Sequence, residues 1–120
     1  MKKLKVGDKI KLFGGYDWDP PWLKAHDCFL ATILRFFDNG IEKRNGDERL
    51  SATIEFDNPI TFKNITGKYG VILGRWEGQK WESTGVVHVH LSNTEIFNSK
   101  DMNESNSVWM ESHASYERVD

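Results

Sequence analysis

Hydrophobic and polar positions alternate with a period of two over most of this chain, the pattern left by half-buried β-strands. Lys9-Ile10-Lys11-Leu12 alternates after a Gly7-Asp8 turn signal. Ala52, Ile54 and Phe56 share one face, against Thr53 and Glu55 on the other; Asp57-Asn58-Pro59 breaks the run and Ile60-Thr61-Phe62 resumes it. Tyr69, Val71 and Leu73 repeat the pattern between Gly67 and Gly74. Val87, Val89 and Leu91 do so again, with His88 and His90 facing the other way. From Val108 to Val119 a last extended segment sets Trp109, Glu111, His113, Ser115 and Glu117 on one face and Met110, Ser112, Ala114 and Tyr116 on the other. Five or six short strands, each closed by Gly, Asn, Asp or Pro, predict an all-β fold, a small antiparallel barrel.

One segment fits two periods. Asp27 to Gly40 suits a helix, with Asp27 as N-cap, Leu30, Ile33, Leu34 and Phe37 on one stripe and Gly40 closing it. It also suits a strand, Phe29, Ala31 and Ile33 alternating against Leu30, Thr32 and Leu34. The strand is preferred, because every neighbour is a strand and a lone helix would need a docking face of its own. Three loops separate the strands: an aromatic, acidic one over 14–25, a polar one over 39–49, and an Asn- and Ser-rich one over 93–107. The last reads as a long connection or a mobile stretch ahead of the closing strand 108–119. Gly78, between Trp76 and Trp81, marks a hairpin whose flanking rings would meet across the strands.

The opening Val6-Gly7-Asp8-Lys9-Ile10, the acidic aromatic first loop and the strand spacing through Leu91 resemble SH3-like small barrels. That resemblance implies one SH3-like barrel domain over residues 1–120. The Ala-Leu-Tyr-Asp-Tyr run and adjacent Trp-Trp pair of SH3 peptide sites are absent, so proline-rich ligands are not implied. The ending, Trp109-Met110-Glu111-Ser112-His113-Ala114-Ser115-Tyr116-Glu117, looks like that of small uncharacterised bacterial proteins and implies no activity.

A length of 120 residues is one domain's worth, and a core can form without staples. Charge alters the picture little. Sixteen basic and eighteen acidic residues give a net −2, which supplies no field for nucleic acid or an anionic membrane. Lys2, Lys3, Lys5, Lys9 and Lys11 crowd the start; they are read as guards on an edge strand rather than as a phosphate-binding stripe. No apolar stretch approaches the ~20 residues of a membrane span, none follows the basic start as a secretory signal would, and Cys28 is the only cysteine. A cytoplasmic protein is expected. Phosphate-cradling, dinucleotide-binding, zinc-protease and serine-hydrolase motifs are all missing.

Two groups carry candidate chemistry. Tyr16-Asp17-Trp18-Asp19-Pro20-Pro21-Trp22 concentrates three rings and two carboxylates beside a stiff Pro-Pro unit. Such a set suits a cationic or planar ligand, or the anchors of a protein partner, and Trp76 and Trp81 would extend the surface. The competing reading folds Trp18 and Trp22 back as a plug for the barrel end. On the predicted strand 87–91, His88 and His90 emerge on one face and would offer two imidazoles to a divalent metal such as zinc. Glu111 and His113 on the closing strand, or His26, Asp27 and Cys28, would complete the set; without metal, His113 beside Ser112 or Ser115 would suit acid–base chemistry. The leading expectation is a non-enzymatic binding module, a small regulator or inhibitor needing no cofactor. A small metal- or histidine-dependent enzyme is the alternative.

Overall fold

A computed structural model describes residues 3–13, 28–38, 50–74 and 82–119. Its strands are β1 (Lys9–Phe13), β2 (Cys28–Asp38), β3 (Leu50–Phe62), β4 (Ile65–Gly74), β5 (Thr84–Ser92) and β6 (Ser107–Val119). Each is antiparallel to its sequence neighbours, and β1 pairs also with β6, closing the barrel. Closure leaves no edge to guard. The edge-strand reading of the β1 lysines is therefore corrected: Lys9 reaches Asp57 at 2.6 Å and Lys11 reaches Glu117 at 3.8 Å along the outside of the barrel.

Alternation places the core where the pattern put it on four strands. Ile10 and Leu12, Ala52, Ile54 and Phe56, Val87, Val89 and Leu91, and Met110, Ala114 and Tyr116 are all buried in one cluster. On β4 the inner positions are Gly70 and Ile72, so Tyr69, Val71 and Leu73 share the outer face. Gly70 is small for a reason. A Cβ there would lie 2.6 Å from the His90 carbonyl oxygen and 3.0 Å from the Phe56 ring. Gly85 makes the same kind of room for the Tyr116 ring, whose hydroxyl donates to the Glu82 carbonyl at 3.3 Å.

The segment with two readings is a strand, paired on both sides (Ile10↔Ala31, Ile33↔Ile54). Its ladder to β3 slips between Ile33 and Arg35. Ile33 and Phe36, both packed on the core, are thereby three residues apart, while Leu30, Leu34 and Phe37 of the proposed helical stripe are not in the core cluster. Nor does β3 end at Asp57-Asn58-Pro59. It runs through them as an irregularity, pairing Glu55 with Tyr69 and then Ile60 with Gly67.

Polar groups fasten the barrel's start to its end. Gly7 takes φ 94°, a conformation open to glycine, and its N–H donates to the Ile33 carbonyl at 2.8 Å. Asp8 follows, 8% exposed; its carboxylate accepts the Lys5 N–H at 2.9 Å and meets the Arg118 guanidinium at 3.2 Å.

Residues 93–106 form an ordered strap over the outer face rather than a loose connection. Asp101 accepts from the Phe97 and Asn98 N–H groups, and Asn98 accepts from that of Lys100. Asn103 accepts from the N–H groups of Ser105 and Asn106. These side chains mimic backbone turns, which is why an Asn- and Ser-rich sequence can hold a fixed shape. The strap leaves β5 and reaches as far as β2. Thr53 donates from its hydroxyl to the Ile96 carbonyl at 2.5 Å, Arg35 pairs with Glu95, and the guanidinium lies 4.2 Å from the Phe97 ring centroid. Ile96, Thr53 and Val71 are fully buried although they lie outside the barrel interior. Among the described residues, no helix is long and apolar enough to cross a membrane.

Candidate functional site

Two places depart from a regular ladder, and each touches one of the candidate groups. The first lies between β2 and β3. Their ladder runs from Asp38↔Leu50 to Ala31↔Phe56 and goes no further, while Asp57, Asn58 and Pro59 take β3 through its irregularity. Proline lacks the N–H a ladder needs, so Pro59 suits such a position. A cavity of about 330 Å³ remains, lined among the described residues by Cys28, Phe29, Leu30, Phe56, Asp57, Asn58, Pro59 and Ile60. Its apolar side includes the Phe29 and Phe56 rings, which meet edge-on with centroids 6.4 Å apart. The carboxylate of Asp57 is held by Lys9, and the Cys28 thiol is exposed.

This cleft has a direct relation to the aromatic, acidic segment. Phe13 and Cys28 are register partners, so the chain leaves β1 and returns at a residue that lines the cleft. Tyr16, Asp17, Trp18, Asp19 and Trp22, between those two positions, lie outside the described residues, as do Trp76 and Trp81.

The second place is the outer face of β5 and β6. His88 and His90 point outward between the buried Val87, Val89 and Leu91, as alternation requires. Opposite His90 stands Trp109, not Glu111 or His113, because β6 shifts register twice, between the partners of Val87 and Val89 and between those of Val89 and His90. Glu111 is the partner of Val89; the side chains of Glu111 and His113 lie outside the described residues. The indole of Trp109 packs against both imidazoles, with centroids 5.0 Å from His88 and 4.8 Å from His90. Burial, and then the charge of His88, lower the pKa of His90 from 6.5 to about 4, so its ring is neutral at pH 7. Its Nδ1 has no hydrogen-bond partner among the described residues. Among the described residues, no group of three or more His, Cys, Asp or Glu is placed to hold a metal ion.

Comparisons with protein-family models, with curated proteins and with solved structures find no match for this chain. The cleft escaped the sequence reading because Asp57-Asn58-Pro59 reads as a strand break, whereas the strand continues: its pairing to β4 is interrupted and resumes at Ile60, and its pairing to β2 ends at Phe56. The Trp109 contacts escaped it because bulges in β6 have no signature in an alternating run.

Proposed function

We propose that this protein is a non-enzymatic binding module, an SH3-like barrel serving as a small cytoplasmic regulator or inhibitor. Its ligand is an aromatic or cationic group, carried by a small molecule or displayed by a protein partner. The reading rests on one observation, the apolar cleft between β2 and β3 at Cys28, the residue at which the described chain resumes after the sequence stretch that holds Tyr16–Trp22. A volume of about 330 Å³ is at the small end for ligand pockets, enough for one ring or short chain. The strand framework forms the cleft, so ordering it costs little when a ligand enters. Tyr16, Trp18 and Trp22 would supply ring faces and Asp17 and Asp19 the attraction for a cation, each ring contact contributing about 0.5–2 kcal/mol. Trp76 and Trp81 would widen that surface.

Cys28 makes the reading testable, since the sole cysteine lines the cleft. Thiol–disulfide exchange of Cys28 with dibenzyl disulfide, cystamine and hydroxyethyl disulfide, each releasing one equivalent of benzyl mercaptan, cysteamine or mercaptoethanol, is compared by intact mass at graded reductant. The aromatic and cationic thiols should survive about tenfold more reductant than mercaptoethanol, a gap of one modest ring contact. The Trp18→Ala, Trp22→Ala double variant should unfold cooperatively at an unchanged midpoint and lose that preference. Equal retention of the three thiols overturns the proposal, and a double variant that no longer folds assigns the tryptophans to the plug.

A further inference from the structure

The strap over residues 93–106 is tied to itself more than to the barrel. Its ends meet where the Asn93 N–H donates to the Asn106 carbonyl at 2.9 Å. Its two halves interlock through Asp101, whose carboxylate accepts from Phe97 and Asn98 while its carbonyl accepts from the Asn106 side-chain amide at 2.8 Å. Neither half can leave without breaking bonds of the other. Beneath it the barrel is complete: β5 and β6 pair to their ends at Ser92↔Ser107, so lifting the strap breaks no ladder pair. Anchorage to the outer face comes from Glu95, Ile96 and Phe97 against Arg35 and Thr53.

We infer that residues 93–106 open and close as one unit over a barrel that stays folded, with the Arg35–Glu95–Phe97 cluster as the latch. Local units of this kind open far more often than the fold that carries them. The open state uncovers Thr53 and the adjoining outer position Val71, which belongs to the row Arg35–Thr53–Val71–His90 across four strands. The latch is a conformational device built into the fold and is independent of the cleft.

Native-state hydrogen exchange on the full chain tests it. The amides of Phe97, Asn98, Asp101 and Asn106 should share one opening equilibrium, at least about a hundredfold more populated than the opening that exposes the Ile33 amide, which bonds to Asp8 within the barrel. Arg35→Ala should speed the strap amides together by about tenfold, the worth of a surface ion pair and a cation–π contact, and Ile33 by no more than the same factor, since the latch is broken in both openings, so the gap between them is kept. Thr53→Val, which deletes only the donor to Ile96, should move the same amides in the same direction and covers the case in which Arg35→Ala fails to fold. Strap amides that exchange at the rate of Ile33, or that respond separately to the variants, overturn the inference.

Discussion

At the β3 irregularity, Asp57, Asn58 and Pro59 stand beside a cavity of about 330 Å³, whereas at the β6 irregularities the indole of Trp109 packs against the His88 and His90 rings. The two regions begin alike, with extra residues on one strand and a shifted ladder. They differ in what takes up the space. Opposite β6 the partner strand continues and brings imidazoles to meet the ring; opposite Asp57 the pairing with β2 ends at Ala31. A bulge alone thus leaves no cavity. One remains where the neighbouring ladder stops with it.

Removing the aromatic side chain on each side gives the widest separation. Phe56 is 1% exposed, while Trp109 is 41% exposed. Phe56→Ala should cost about 3–5 kcal/mol, because the cavity it leaves is lined by neighbours that cannot collapse fully. Trp109→Ala should cost about 1–3 kcal/mol, two ring contacts at a half-exposed position. Urea midpoints decide the order, and a larger loss from Trp109→Ala would make the outer face, not the floor of the cleft, the structural keystone.

The next effect in size belongs to the filled region and depends on pH. His90 titrates near 4 in the folded protein, against 6.5 for the free imidazole. Between those values the unfolded chain binds a proton that the folded one excludes, so stability rises with pH across that window. Its full contribution is present above about pH 6.5, drains away as pH falls toward 4 and levels off below. The loss assigned to this one ring is at most about 3 kcal/mol. His90→Gln carries no such charge, and urea unfolding from pH 4 to 7 should give it a shallower slope than the parent protein. Parallel slopes would show that the ring protonates without cost, and hence that Trp109 and His88 enclose it less tightly than their centroid distances indicate.

These contrasts also mark what the residue pattern reveals. Alternation locates the core wherever a strand pairs regularly, as β1 does on both sides at Ile10 and Leu12, because side chains there have only two directions. It is broken where a bulge changes the count: the shift between Ile33 and Arg35 puts Ile33 and Phe36, three residues apart, against the same core. It cannot show closure, since the lysines of a strand paired on both sides look like those of an exposed edge. Val71 is the plainest case. Its burial comes from outside the barrel, beside a strap whose anchors, Arg35 and Thr53, are distant in sequence. The histidine pair was legible as a pair, and its aromatic neighbour was not, because two register shifts decide which β6 residue stands opposite His90.

The smallest effect tests whether the open region owes its shape to the residue that interrupts β3. Pro59 limits the chain's freedom and offers no N–H to β2, so Pro59→Ala should lower stability by only about 0.5–1 kcal/mol, mostly through the unfolded state. Its consequence for the cleft should exceed that figure in importance. An alanine restores a donor at a position lining the cavity, and pairing can then extend past Ala31↔Phe56 toward Cys28. Alkylation of Cys28 by iodoacetamide should slow as that wall draws in, while the NMR shift of the Trp109 indole N–H, on the filled side, stays as it was. An unchanged alkylation rate would mean that the ladder stops for another reason. The residues to vary next would then be Asp57, drawn to Lys9 at 2.6 Å, and Asn58 beside it.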